Sequence, residues 1–472
     1  MSEPVVILGA GPSGLGAAYQ LAGRGLGKVL VLEAEPQVGG IAGSFLLEGI
    51  PADYGSHRLH PSCDPRILAD LGRLLGEDLL DRPRHGRIRF QGRWIHFPLK
   101  PLDLLMRLPF PFALSVAGHS ARKPFLPAPS GEANFASVLE AALGKAMCRE
   151  FYFPYARKLW GLPPEQLSAV QARRRVSGNS LGKLLRKLAG AVPGLRARSA
   201  GHFFYPRRGF GQICECLHEA ARAAGAEFRL GCRVTAIEAP DQRVAGVRYE
   251  QEGQEHFVES GMVWSTLPLT SLILGIRPEP PPEVRHAATS LCFRAMVLIY
   301  LVLKTDQFTE FDAHYFPEEG IPISRLSEPK NYPGAREPRG RTVLCAELPC
   351  DPGSGYWRME DAELGELVCQ ALGRAGLPVR VAVTRVVTRR LSHAYPIYRL
   401  GFEKHFRILD EWVSQVEGLL TFGRQGLFAH DNTHHALFMA YSAADCLGPG
   451  GRFDRRRWQQ YRQRFQGHVV ED

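Results

Sequence analysis

Two uninterrupted apolar runs, Val5-Val6-Ile7-Leu8 and Val29-Leu30-Val31-Leu32, flank a segment of helical spacing that continues to Leu21. A short run with no polar face fits a strand buried on both sides, as in a parallel sheet covered by helices. The opening therefore predicts a β-α-β unit, with Lys28 leading the second strand and Glu33 closing it. Farther on, Ile67, Leu68, Leu71, Leu74 and Leu75 recur at helical spacing within residues 65–75, and residues 88–97 read as a hairpin about Gly92. Residues 210–224 read as a helix, 232–237 as a strand of alternating polarity, and 263–268 as a further strand. Residues 297–303 and 341–348 fit strands of a second sheet, with a helix at 361–372 beside it. Near the end come a short strand at 419–422, a turn at 423–426, and a helix at about 433–447 carrying apolar Ala436, Leu437, Met439, Ala440, Ala443 and Ala444. Apart from the hairpin, residues 61–201 read as helical and irregular, and no internal repeat or low-complexity tract interrupts the chain.

The turn between the first strand and its helix is Gly9-Ala10-Gly11-Pro12-Ser13-Gly14, a G-x-G-x-x-G pattern. Gly9 permits the tight turn, Gly11 lets the backbone approach a pyrophosphate, and Gly14 lets the helix pack closely on the strand. The helix N-terminal amides then face phosphates, and Glu33, nineteen residues after Gly14, can accept hydrogen bonds from ribose hydroxyls. Set between two strands of this kind, the pattern points to a dinucleotide site. Past Glu33 and Ala34, Gly39-Gly40-Ile41-Ala42-Gly43-Ser44 gives a second flexible stretch where a nicotinamide dehydrogenase would run into its next helix. Small residues there allow the backbone to reach the far half of a longer, buried cofactor.

This two-part pattern resembles that of the FAD-binding flavoproteins that include amine oxidases, protoporphyrinogen oxidase, phytoene desaturases and UDP-galactopyranose mutase. The segment Gly49-Ile50-Pro51-Ala52-Asp53-Tyr54-Gly55-Ser56-His57-Arg58-Leu59-His60 looks like the one that lies against the flavin ring in the mutase and in porphyrinogen-oxidase-like proteins, with His57 in the equivalent position. Tyr205-Pro206-Arg207-Arg208-Gly209-Phe210-Gly211 is similar to the family's return to its FAD domain, where the residue matching Val234 contacts the adenine through its backbone. Gly423-Arg424 resembles the family's glycine-arginine, and the helix after it is the one aimed at the pyrimidine edge of the ring. The resemblance implies an α/β fold: a Rossmann-type, GR2-like FAD-binding domain from residues 1–60, 203–275 and 400–447, and an interleaved mixed α+β substrate domain from 61–202 and 276–399. Residues 448–472 are left as a C-terminal tail. It implies FAD as a non-covalent cofactor, held by Gly9, Gly11, Pro12, Ser13, Gly14, Glu33, Ala34, Gly39, Gly40, Ser44, His57, Val234, Gly423, Arg424 and Ala436.

Length and charge refine this picture. A chain of 472 residues with 45% apolar residues is enough for two or three domains with cores of their own. Ten scattered cysteines without a C-x-x-C pair read as reduced thiols, not a disulfide framework or a zinc site. The start at Met1 lacks a basic region and hydrophobic stretch of the signal-peptide kind, so a cytoplasmic protein is expected, with peripheral contact at the inner face of a membrane left open. The formal charge is +10, and the stretch between Gln166 and Cys214 alone holds ten basic residues and no acid: Arg173, Arg174, Arg175, Lys183, Arg186, Lys187, Arg196, Arg198, Arg207 and Arg208. Such a segment could bind a diphosphate, carboxylates or an anionic lipid surface, or simply be a solvated face. Residues 102–114, apolar but broken by Arg107 and prolines, fit a buried helix with a turn, a lid, or an interfacial contact. No nucleic-acid recognition motif accompanies the charge.

A flavin supplies its own reactive atom, N5, so the protein needs only to hold a small-molecule substrate against it and tune the electronics. That accounts for the absence of a conventional triad. The candidate catalytic groups are His57, Arg58 and His60 on one wall and Tyr395 and Tyr398 on the other. His430, Asp431, Asn432, His434 and His435 crowd the turn before the last helix and read as helix-cap groups, with no metal site expected. Lys304 resembles only loosely the lysine that amine oxidases place near N5. Two chemistries compete: an FAD-dependent oxidoreductase removing a hydride from an amine, a porphyrinogen-like compound or a polyene, and a sugar-nucleotide mutase working through reduced flavin. Residues 155–161 and 344–350 look more like the porphyrinogen-oxidase-like branch, which favours the oxidoreductase.

Overall fold

In the computed structural model, residues 3–100, 133–175 and 201–470 are described, together with isolated positions between 103 and 115. The two apolar runs become the strands Val5–Leu8 and Val29–Leu32 at the centre of a five-stranded sheet. All five strands are parallel, in the order Leu419–Thr421, Met262–Ser265, Val5–Leu8, Val29–Leu32, Glu227–Arg229. Strand side chains alternate, so the two faces feed two cores. Val5, Ile7, Val29 and Val31 pack with the helices Pro12–Gly23, Gln212–Ala223 and Thr433–Asp445. Val6, Leu8, Leu30 and Leu32 pack against a four-stranded sheet and the helix Phe402–Gln415. Burial on both faces explains why neither run shows polar alternation.

A seven-stranded mixed sheet stands apart, in the order Val383–Ile397, Cys292–Leu303, Thr342–Cys350, Arg325–Ser327, Ala313–Tyr315, Gly86–Phe90, Arg93–Phe97. On one side Val297, Ile299, Leu301 and Leu303 pack with the helix Asp361–Arg374. On the other, Met296, Leu298, Tyr300 and Val302 meet Ile50, Ala52 and Tyr54, and the Tyr300 hydroxyl donates to the Asp53 carbonyl at 2.7 Å. The hairpin expected about Gly92 closes one edge of this sheet, through parallel pairing of Gly86–Phe90 with Ala313–Tyr315.

Three elements differ from the sequence reading. Residues 423–426 form a helical turn, Gly423–Gly426. The 15-residue edge strand Val383–Ile397 carries no apolar alternation and was not anticipated. Beyond Leu447, the helix Arg455–Gln466, capped by the Asp454 carboxylate at 2.9 Å, buries Trp458 and Phe465 in the first core. Among the described residues no helix is long and apolar enough to cross a membrane.

Candidate functional site

The glycine turn has the geometry its spacing implies. Gly9 has a φ of +96°, in the region that favours glycine, and a Cβ at Gly14 would overlap the Gly9 carbonyl oxygen. Gly11 is extended (φ −77°, ψ −179°), and the nearest atom to a Cβ there is the Gly40 Cα at 3.9 Å. A Cβ at Gly40 would lie 3.2 Å from the Gly11 Cα, so the first and second glycine stretches meet backbone to backbone with no side chain between them. Pro12 takes the first helical position, and Ser13 Oγ donates to the Ala436 carbonyl at 3.2 Å. A Cβ at Gly423 would come within 2.5 Å of Ser13 Oγ, so the C-terminal turn sits directly on the first helix. Glu33 is 9% exposed; its carboxylate accepts from the Ala10 N–H at 2.6 Å and the Glu35 N–H at 3.0 Å. Burial nevertheless raises its pKa. The Glu33 and Glu35 carbonyls accept from Cys232 and Gly231, which lays the start of the Val234 strand beside the acid, while Ala34 is exposed.

Asp53 ties the second glycine stretch to the return segment. Its carboxylate accepts from Ser44 Oγ (2.6 Å), the Tyr205 hydroxyl (2.6 Å) and the Phe210 N–H (2.9 Å). Burial lifts its pKa to about 6 against the pull of these donors. The native state therefore holds a proton that the unfolded chain releases near pH 4, and stability falls as pH rises from about 4 to about 6. The difference between wild type and Asp53→Asn in denaturant unfolding should change by about 2 kcal/mol across that window; a constant difference from pH 4 to pH 7 would refute this account.

A cavity of about 100 Å³ lies where the two sheets approach the helix Thr433–Asp445. His57 and Arg58 line it, as do Tyr395 and Arg424. His57 Nε2 donates to the Tyr54 carbonyl at 3.0 Å, and its ring stacks on Phe210 at 5.3 Å. Burial pushes its pKa down to about 4, so the ring is neutral at pH 7 with the proton on Nε2 and an acceptor lone pair on Nδ1. Arg58 is held between the rings of Phe203 and Tyr332 and pairs with Asp312 at 3.3 Å. Arg424 Nη2 donates to the Ala394 carbonyl at 2.6 Å and the guanidinium lies 5.2 Å from the Tyr395 ring.

Two candidates stand elsewhere. Tyr398 is fully buried; its hydroxyl donates to the Phe428 carbonyl (2.9 Å), accepts from the His430 N–H (3.0 Å), and its ring stacks on Phe402 at 4.4 Å. It props the loop before the last helix and does not line the cavity. His60 Nδ1 accepts from the Ser62 N–H at 3.1 Å, and its ring is 6.1 Å from His434, also outside the lining. Lys304 is exposed at a strand end. In the crowded turn, Asn432 caps the last helix in a capping box with His435. Asp431 is clasped by Arg174 (3.1 Å) and by His468 (2.8 Å) from the C-terminal segment. Burial would raise its pKa, but His468 and Arg174 more than offset that and hold it below the usual carboxylate range. Asp431, His435 and His468 bring ligand atoms within 4.8 Å of one another, yet Arg174 already supplies a cation there. Arg174 is thus committed to the protein itself. Lys183, Arg186, Lys187, Arg196 and Arg198 lie outside the described residues, as do residues 102, 104, 105, 110, 111 and 113 of the apolar stretch 102–114.

The model for the family described as flavin containing amine oxidoreductase matches residues 12–428. The chain belongs to that family. A putative flavin-containing monoamine oxidase of Mycobacterium tuberculosis is 29% identical over 303 residues, covering 60% of this chain and 61% of that protein. The chain thus spans about three fifths of the length of the curated relatives it matches. Among solved structures, reduced UDP-galactopyranose mutase superposes with a TM-score of 0.79 at 21% identity, covering 94% of this chain and 93% of the other. A putative protoporphyrinogen oxidase from an Exiguobacterium species gives 0.71 at 19% identity, covering 94% and 98%. At these identities the superpositions establish the fold. The cofactor of this flavoprotein family is FAD, and the cradle fits it: Gly11 and Gly40 present side-chain-free backbone side by side, which suits a close-lying pyrophosphate, and a buried acid beside them suits a ribose.

Sequence reasoning missed three charged groups of this flavoprotein's cavity, Arg84, Arg325 and Glu347. Arg325 and Glu347 line it as an ion pair, with Nε and Nη2 each 2.9 Å from a carboxylate oxygen, and Glu347 also accepts from the Ser56 N–H at 2.8 Å. Glu347 carries a signal that could have revealed it: it is the single acid in the fully buried strand Thr342–Cys350. Arg325 carries none.

Proposed function

We infer that this protein is an FAD-dependent oxidoreductase that takes a hydride from an organic substrate held in the cavity lined by His57, Arg58, Tyr395 and Arg424. Flavin, when bound, accepts the hydride at N5. The observation that carries the reading is the convergence of these four side chains, from segments more than 300 residues apart, on the N-terminal end of the helix Thr433–Asp445. That helix end favours negative charge. His57, neutral at working pH, offers an acceptor at Nδ1 without a competing charge. Tyr395 and Leu159 supply apolar surface, while Arg58 and Arg424 orient acceptor groups. The FAD part is assigned to residues 1–60, 203–275 and 400–447, and the substrate part to 61–202 and 276–399. What supports that division is that all five parallel strands fall in the first set.

FAD is held without a covalent link in this reading. Anaerobic titration tests it. A substrate should bleach the oxidised flavin absorption, with recovery on admitting oxygen or another acceptor. His57→Ala should slow bleaching at least tenfold while FAD stays bound. If no porphyrinogen, amine or polyene bleaches the protein, and the dithionite-reduced form isomerises a nucleotide sugar, the mutase reading replaces this one.

A further inference from the structure

A second cavity, of about 540 Å³, opens beside the first. Arg84 lines both. The ion pair of Arg58 and Asp312 forms the partition, since Arg58 lines the inner space and Asp312 the outer. The outer wall holds three permanent cations, Arg82, Arg84 and Lys100, against two carboxylates, Glu310 and Asp312. Asp312 is already matched: one oxygen receives Arg58 and the other the His85 N–H at 3.2 Å. Glu310 and Lys100 are both solvent-exposed, where charge is screened, so the partly buried Arg82 weighs most in the sign of the wall. The balance inside is positive.

Arg82 is also fixed in place. Its Nε donates to the Tyr332 carbonyl at 2.9 Å, and a Cβ at Gly334 would come within 2.7 Å of Nη2. Among the described residues this tie runs through Nε, which leaves the two-nitrogen end of the fork as the donor edge that oxyanions engage. A space of this size accommodates a small organic group together with its anion.

We propose that the outer cavity binds the oxyanion end, a carboxylate or a phosphate ester, of the substrate whose reacting end lies in the inner cavity. The assignment of that reacting end rests on the oxidoreductase reading above. With Arg58 set aside as the partner of Asp312, the inner cavity agrees in sign, with Arg84, Arg325 and Arg424 against Glu347 and Asp431, the last already paired with Arg174 and His468. A simple protonated alkylamine would meet like charge in both spaces, so the substrate class is anionic.

The test is calorimetric titration of the FAD-loaded protein, whose nucleotide cradle is already filled, with inorganic pyrophosphate and separately with citrate. One of the two should bind at a single site, weakening as salt rises, and the tighter one names the anion. Arg82→Gln combined with Lys100→Gln should weaken it by about tenfold or more, with flavin content unchanged and Arg82→Lys falling between. Absence of saturable binding by either anion, or equal binding by the double variant, overturns the proposal. Binding requires no turnover, so an anion site in a protein that no compound bleaches would refute the oxidoreductase reading and leave the anion site standing without its assigned reacting end.

Discussion

Gly11→Asp is expected to give a folded protein that contains no flavin. Gly11 has an extended backbone that any residue adopts, and the nearest atom to an added Cβ is the Gly40 Cα, at the ordinary contact distance of 3.9 Å. Folding is therefore spared. The added carboxylate, however, brings bulk and negative charge to the glycine turn, the place where a pyrophosphate would lie. Repulsion and steric exclusion act together there. Visible absorption of the purified variant should be lost, while its circular dichroism matches wild-type apoprotein. Gly14→Ala should differ in kind, because a Cβ there overlaps the Gly9 carbonyl oxygen and disrupts the turn itself; both flavin and thermal stability should fall. Glu33→Ala should retain part of the flavin, since it removes the proposed ribose acceptor and leaves the Ala10 and Glu35 N–H groups to find water. Full flavin content in Gly11→Asp would sink the placement of the cofactor.

These three glycines and the acid were legible in the sequence because their roles are local. Gly9, Gly14 and Glu33 act on backbone within one β-α-β unit, and spacing along the chain is spacing in space. The parallel sheet was legible for a related reason: Val5–Leu8 and Val29–Leu32 are buried on both faces, and an apolar run with no polar side has few other uses. The substrate side is different. Tyr395 and Tyr398 are three residues apart and were read alike, yet a register shift near Arg294 and the end of the edge strand send one into the cavity and the other into a core against Phe402. Arg174 read as part of a basic segment that would either meet an anionic ligand or form a solvated face. It is clasped by Asp431, 257 residues away, a pairing that no local pattern announces. The edge strand Val383–Ile397 hid because its apolar side chains are divided between two cores, Val383 and Val386 on the helix side and Val387, Leu391 and Ala394 on the other, with Thr and Arg between them, which leaves no clean alternation.

The same non-local character makes Glu347 the most costly single truncation in the cavity wall. Its strand is apolar and wholly buried, and only 4% of its side chain meets solvent. Its carboxylate matches Arg325 through two 2.9 Å hydrogen bonds and also accepts from the Ser56 N–H. Glu347→Ala leaves a guanidinium and a backbone N–H in the cavity wall without their acceptor. Removing one member of a buried pair costs about 3–5 kcal/mol, most of it the desolvation of the charge that remains. Denaturant unfolding should show a loss of that size, larger than for any exposed pair on this chain. Glu347→Gln keeps the shape and an acceptor oxygen, so it should lose less than half as much. Pairing Glu347→Leu with Arg325→Met removes both charges together and should restore most of the stability, because apolar isosteres often replace a buried pair at little cost. That double variant also separates structure from substrate binding. It should fold and hold FAD, yet bleach slowly under anaerobic titration, since one of the cations lining the proposed substrate cavity is gone. A Glu347→Ala protein within 1 kcal/mol of wild type, on the scale set by buried pairs, would mean that the cavity admits enough water to solvate Arg325 alone.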